Sequence, residues 1–162
     1  MAIPKHIDAR NKLRLARFRP SKRGRALQFL MECATAGLDV VVLEVERDDA
    51  TQAGHWAKGR TLPGKVVTNA RYAHQTAHGR RGPAHDAGAS AWDFAKWLSS
   101  GKADWSDEEF FRKCGAIGES LGFVWGGRFG ETAPGRGDGW DAGHLEAADW
   151  KSYPLLTKDG AA

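Results

Sequence analysis

Ser106-Asp107-Glu108-Glu109-Phe110-Phe111, running on past Cys114 and Ile117 to Leu121-Gly122-Phe123-Val124-Trp125, carries the plainest structural signal in the chain. Ser106 opens a capping-box pattern, in which its hydroxyl serves one orphan amide and Glu109 reaches back to another. Phe110, Cys114, Ile117 and Leu121 follow at helical spacing, and Gly122 stands where a helix ends. Phe123-Val124-Trp125 then reads as a strand. The same alternation continues outward. Leu27, Phe29, Leu30, Cys33 and Ala34 form a helical stripe closed by Gly37, and residues 38–45 read as a buried strand rich in β-branched side chains. Residues 49–58 read as a short helix with Ala53, Trp56 and Ala57 on one side. The turn at Pro63-Gly64 leads to a short Val66-Val67-Thr68 strand. Residues 89–95 read as a strand with Trp92 and Phe94 on one face, and residues 79–88 and 126–139 as Gly-rich loops. Helices and short strands mixed in this order predict an α+β domain, a small antiparallel sheet flanked by helices.

With 162 residues, the chain suits one domain and leaves little room for two. Apolar residues are 41% and charged residues 27%, which excludes disorder across the whole chain. The longest strongly apolar run is Val40-Val41-Val42-Leu43, far short of the roughly 20 residues a membrane span needs. Cys33 and Cys114 are too few for a disulfide framework and read as buried thiols in a reducing compartment. The N-terminus holds no apolar stretch of signal-peptide length, so no export is expected. Charge is uneven. Residues 1–25 hold nine Lys or Arg against one acid, Asp8, a local +8 in a chain of net +4. These residues read as a basic segment leading into a single domain at 26–162. Either they form a solvated helix face, or they attract an anionic polymer such as nucleic acid, a lipid headgroup layer or cell wall.

Of six histidines, His78 opens a Gly-rich loop, and Asp93 sits within the apolar run Ser90-Ala91-Trp92-Asp93-Phe94. A carboxylate in such a strand must be paired, hydrogen-bonded or metal-bound, because a lone buried charge is very costly. In Asp141-Ala142-Gly143-His144-Leu145-Glu146 an acid stands three residues before a histidine. Two histidines and one carboxylate with an open fourth position make a catalytic zinc arrangement. A further, unligated carboxylate would then serve as general base. Taken alone, each residue is more often explained as a surface or satisfied histidine, or as an aspartate paired with Arg.

At these residues the chain resembles the zinc peptidases of peptidoglycan. That family includes D-alanyl-D-alanine dipeptidases, D,D-carboxypeptidases and phage L-alanyl-D-glutamate endolysins. The resemblance runs from about Leu27 to Glu146. Val45-Glu46-Arg47 with Gln52 is similar to the family's "YR…Q" segment. Residues 57–70, Ala57-Lys58-Gly59-Arg60-Thr61-Leu62-Pro63-Gly64 and onward to Val67-Thr68-Asn69-Ala70, resemble the endolysins' "GRT-PG-VTNA" stretch. Leu121-Gly122-Phe123-Val124-Trp125-Gly126-Gly127 resembles "LG-WGG", and the segment from Asp141 to Glu146 resembles "D-PHFE". The first metal motif, S-x-H-x-x-G-x-A-x-D, is interrupted. Thr76-Ala77-His78 matches its start and Ala91-Trp92-Asp93 its end, with extra residues between them. His85 could replace His78, and Asp86 could replace Asp93. His78 with Asp93 is preferred, because the apolar strand suits a fixed ligand.

The resemblance implies a LAS-type (hedgehog/D,D-peptidase-like) zinc peptidase domain. His78, Asp93 and His144 would bind Zn2+. Asp141 would be the base that takes a proton from the zinc-activated water and returns it to the leaving amine. Arg47 would hold the polarised carbonyl or a substrate carboxylate, with Gln52 positioning it. Glu146 would orient an imidazole. Trp125 and Phe123 are expected in the core, and Trp140 against protein. The implied activity is that of a phage or prophage endolysin cutting an amide bond of the peptidoglycan stem peptide, the L-alanyl-D-glutamate bond first. The expected protein is a monomer that binds no nucleic acid and is held in the host bacterial cytoplasm until release to the wall. A D-Ala-D-Ala carboxypeptidase or D,D-endopeptidase is the alternative within the family. A non-catalytic peptidoglycan-binding relative is the alternative outside enzymology, and it would have no need of Asp141.

Overall fold

The computed structural model describes residues 5–155. Helices α1 (Lys5–Leu15) and α2 (Pro20–Thr35) precede strand β1 (Val40–Glu44) and helix α3 (Asp49–Ala57). A long connection with two 3-10 turns leads to β2 (Ala91–Trp97) and the short β3 (Ala103–Asp104). Helix α4 (Glu108–Ser120), β4 (Phe123–Trp125) and β5 (His144–Ala147) complete the domain. All strand pairs are antiparallel, in the order β1-β2-β5-β4, with β3 beside the far end of β2. The α+β architecture expected from the sequence is the one observed. Among the described residues no helix is long and apolar enough to cross a membrane.

Side chains alternate across a strand, so β2 divides the molecule into two faces. Trp92 and Phe94 point to the helical side, where Trp92 meets Phe18, Phe29 and Phe123 and Phe94 meets Phe29 and Phe111. Each such ring pair contributes about 0.5–1.5 kcal/mol beyond its area burial. Leu145 and Trp125 join this core from β5 and β4. Asp93 falls on the opposite face. Cys33 and Cys114 are buried between α2 and α4 as free thiols, their Sγ atoms 4.0 Å apart.

Several basic residues near the N-terminus are structural. On α1, Asn11 pairs with β1 like a strand neighbour, donating to Val40 O and accepting from Val42 N, both at 2.8 Å. Arg14 donates to Val42 O. The helix thereby covers the sheet edge that would otherwise offer unpaired amides. Arg19 is fully buried, within 3.3 Å of the Asp86 carboxylate and the Ser90 hydroxyl and 3.2 Å above the Tyr153 ring. Residue 25, the boundary suggested by charge, lies inside α2. Residues 1–4 of that segment lie outside the described residues.

Three local expectations are corrected. Val66-Val67-Thr68 forms no strand; the two valines are about half exposed, at 51% and 49%, so no core contact rewards pairing. The α4 cap is Asp107, which accepts from Phe110 N at 2.9 Å, while Ser106 bonds Asp104 and Glu109 pairs with Lys113 instead. The buried residue of α3 is Gln52, not an apolar one, because its amide has polar work to do.

Candidate metal centre

Pairing of β2 with β5 sets Asp93 directly opposite His144. The period of two then puts Glu146 on the same face as His144. A bulge at Leu43 in β1 shifts the register so that Glu44 also stands opposite Asp93. One sheet face thus carries three acids and an imidazole. His78 arrives from the long connection crossing that face. Its carbonyl accepts from Arg47 N at 3.0 Å, and Ser90 N donates to Ala77 O at 2.7 Å, so its backbone is fixed on both sides.

His78, Asp93 and His144 converge. His78 Nε2 lies 3.3 Å from His144 Nδ1 and 3.3 Å from Asp93 Oδ1, and Asp93 Oδ1 lies 3.0 Å from His144 Nδ1. Ligands on a tetrahedral zinc at about 2.0–2.1 Å stand roughly 3.3 Å apart, so this triangle has the right size. The tautomers also fit. His78 Nδ1 donates to Val45 O at 2.7 Å, which leaves the Nε2 lone pair facing the centre. His144 Nε2 lies 3.0 Å from Glu146 Oε2, which leaves Nδ1 facing the centre. Glu146 is held in turn by Trp150 Nε1 at 3.1 Å. Among the described residues this is the group that could hold a metal ion.

The electrostatics favour a cation here. Burial alone would raise the Asp93 pKa, but the charge of His78 and the hydrogen bonds of both imidazoles outweigh it and hold the carboxyl well below the usual range. Burial alone would lower that of His144; carboxylates at both ring nitrogens push it up instead, to about 10. Burial raises the Asp141 carboxyl above the ordinary aspartate value. Asp141 Oδ2 sits 3.9 Å from His144 Nδ1, the ring nitrogen that also meets Asp93.

Arg47 is committed to protein acceptors. Its Nη2 donates to Glu44 at 2.7 Å and to Asp93 Oδ2 at 3.3 Å, and its Nη1 donates to Gln52 at 2.9 Å. It separates two carboxylates that face each other across the strands and fixes the outer oxygen of Asp93. Its buried Nε has no hydrogen-bond partner among the described residues. Gln52, fully buried, holds Arg47 and donates to Ala70 O.

The alternatives to this triad lie elsewhere. His85 is exposed on a 3-10 turn, and Asp86 accepts from Ser21 N and Ser21 Oγ, both at 2.7 Å, at the start of α2. Trp125 and Phe123 are core residues, 2% and 6% exposed. Gly126 and Gly127 do more than turn the chain: a Cβ would meet Asp141 O at 2.2 Å from the first and the Trp125 ring at 2.2 Å from the second. Trp140, expected against protein, is 72% exposed instead.

The triad lines a cleft of 490 Å³ with Asp141, Arg47, Trp105, Phe129, Trp140 and Trp150. Glu44, Lys58, Phe129 and Trp150 also line this cleft, and the sequence does not single them out for it. Glu44 left a trace, as an acid closing an apolar strand, and Lys58 as a member of the 57–70 stretch; Phe129 and Trp150 left none.

No family model matches the chain, and no curated protein matches it. Among solved structures, the L-Ala D-Glu endopeptidase ChiX of Serratia marcescens is similar, with a TM-score of 0.53 and 13% sequence identity over 89% of this chain and 90% of that one. The likeness is one of fold, and it spans nearly all of both chains.

Proposed function

We propose that this protein is a zinc-dependent peptidase that hydrolyses an amide bond in the peptidoglycan stem peptide, the L-alanyl-D-glutamate bond, and acts as a phage or prophage endolysin. One observation carries the reading: His78, Asp93 and His144 aim three donor atoms at a common point in a cleft, with Asp141 beside them. The fold neighbour is an L-Ala D-Glu endopeptidase, which supports the same reaction class. As an endolysin the chain would stay in the host cytoplasm as a monomer until it reaches the wall.

Zinc held by this triad supplies Lewis acidity, which polarises a carbonyl and activates water near neutral pH. The chain's own residues do the rest. Asp141, with its raised pKa, takes a proton from the attacking water and delivers it to the departing amine. Arg47 keeps Asp93 oriented through its bonds to Glu44, Asp93 and Gln52. Glu146 holds His144 in the tautomer that presents Nδ1. Trp105 and Trp140 line the cleft with exposed indoles on which a peptide can pack.

The test is digestion of purified peptidoglycan with zinc-supplemented protein, read by mass spectrometry. A new free amino group on D-glutamate is expected, lost with a chelator and in Asp141→Asn. Undiminished cleavage in both, or a new amino group on diaminopimelate alone, would overturn the reading.

A further inference from the structure

The cleft holds two basic side chains besides its histidines, Arg47 and Lys58. Arg47 spends both terminal nitrogens on Glu44, Asp93 and Gln52. The acids of the cleft are likewise engaged: Glu44 and Asp93 by Arg47, Glu146 by His144, and Asp141 facing His144. Among the described residues, Lys58 lies within 4.0 Å of no carboxylate, so it brings an uncommitted positive charge to the cleft.

The ordinary use of a lysine at a helix end is to satisfy the last carbonyls. Here other groups have taken them. Ala57 O accepts from Arg60 N, Thr61 N and Leu62 N at 2.9–3.0 Å, His55 O from Lys58 N at 3.3 Å, and Trp56 O from Arg60 Nη1 at 2.7 Å. These bonds lock the backbone on either side of Lys58. Gly59, at φ +73°, packs so closely that a Cβ would lie 2.5 Å from Val66 N. Arg60 of the same turn is bound to Thr68 O and Asn69 as well, so it is structural. Lys58 therefore lines the cleft from a rigid base, solvent-exposed and with its ammonium unspent among the described residues.

We infer that Lys58 Nζ binds a substrate carboxylate next to the scissile bond. On the proposed reading, this is the α-carboxylate that D-glutamate keeps free because the stem peptide continues through its γ-carboxyl. That carboxylate is attached to the carbon bearing the scissile nitrogen, so it enters the cleft with the reacting amide. The inference rests on the proposed function and adds a determinant of which peptides are cut: those with a free D-glutamate acid over those whose α-carboxyl is amidated.

The experiment compares N-acetyl-L-alanyl-γ-D-glutamyl-L-lysine with its α-carboxamide counterpart, using zinc-supplemented wild type, Lys58→Gln and Lys58→Arg. A charge-assisted hydrogen bond predicts that wild type favours the acid peptide by about 10- to 100-fold in kcat/KM. The difference should lie mainly in KM, collapse in Lys58→Gln and return in large part in Lys58→Arg. Equal cleavage of both peptides by wild type, or a preference that survives in Lys58→Gln, overturns the subsite and leaves the peptidase reading standing. Cleavage of neither peptide overturns the peptidase reading and the subsite together.

Discussion

Asp93 and His144 are cross-strand partners whose side chains meet, Asp93 Oδ1 standing 3.0 Å from His144 Nδ1. They are 51 residues apart in sequence, so the register of β2 against β5 brings together two of the three residues that could hold a metal ion. A slip of one residue in either strand would turn that strand's side chain toward the aromatic core.

Zinc binding should therefore stabilise the fold, since the unfolded chain does not assemble these donors. At free zinc 100 times the dissociation constant, the gain is about 2.7 kcal/mol. For a chain of this size that raises the melting temperature by about 5–10 °C. Differential scanning calorimetry with and without a chelator measures it. The shift should vanish in Asp93→Asn; a shift of equal size in that variant would place the metal elsewhere.

Glu146→Ala should fold and weaken the metal rather than remove it. The carboxylate fixes His144 from the side away from the centre, at 3.0 Å. Loss of such a partner typically lowers metal affinity by about 10- to 100-fold. Competition with a chromophoric chelator reads the affinity directly, and wild-type affinity in the variant would show that Glu146 is idle.

Acid stability should depend on Asp86. Burial by itself would raise its pKa, but hydrogen bonds from Ser21 and the charge of Arg19 hold it below the ordinary value. A carboxyl depressed in the folded state adds stability above its unfolded value of about 3.9 and loses it as pH falls through the folded one. Asp86→Asn leaves the buried Arg19 guanidinium without its counter-charge and should cost about 3 kcal/mol at pH 7. Urea titrations from pH 7 down to pH 2 should show a shallower acid decline in the variant than in wild type. Parallel curves would contradict this account.

Gly115→Ala should destabilise, although alanine is the better helix former. A Cβ there would lie 2.2 Å from the Trp125 ring, and overpacking of this kind costs about 1–3 kcal/mol. Trp125 Nε1 also donates to Ala142 O at 2.8 Å, so a displaced indole disturbs the loop carrying Asp141 and His144. Gly54→Ala on α3 is the contrast: nothing lies within 4 Å of its Cβ position, and the change should gain up to about 1 kcal/mol. Chemical denaturation ranks the two, and a stabilised Gly115→Ala would show that Trp125 yields easily.

The elements legible in the sequence were those whose residues answer to their own neighbours. Trp92 and Phe94 on one face marked β2, and the acid between them has the hydrogen-bonded partners that a carboxylate in such a strand requires. The helix after Ser106 was legible as well, but its cap fell on Asp107, because Ser106 bonds Asp104 instead. The valines at 66 and 67 have strand propensity and no partner, so propensity misled.

Amino-acid order by itself determined the α+β class, the apolar faces and the set of acids and histidines from which a centre could be drawn. It left His78 against His85 open, because both lie in a Gly-rich stretch and nothing local separates them. Tertiary structure separated them by burial and partners: His78 is pinned to Val45 O and faces Asp93, while His85 stands exposed. Only the folded chain could likewise turn Arg19 inward to Asp86, oppose Glu44 to Asp93 through a bulge, or leave Lys58 unpaired in the cleft. Each depends on contacts between residues distant in sequence, and such contacts leave no periodic trace along the chain.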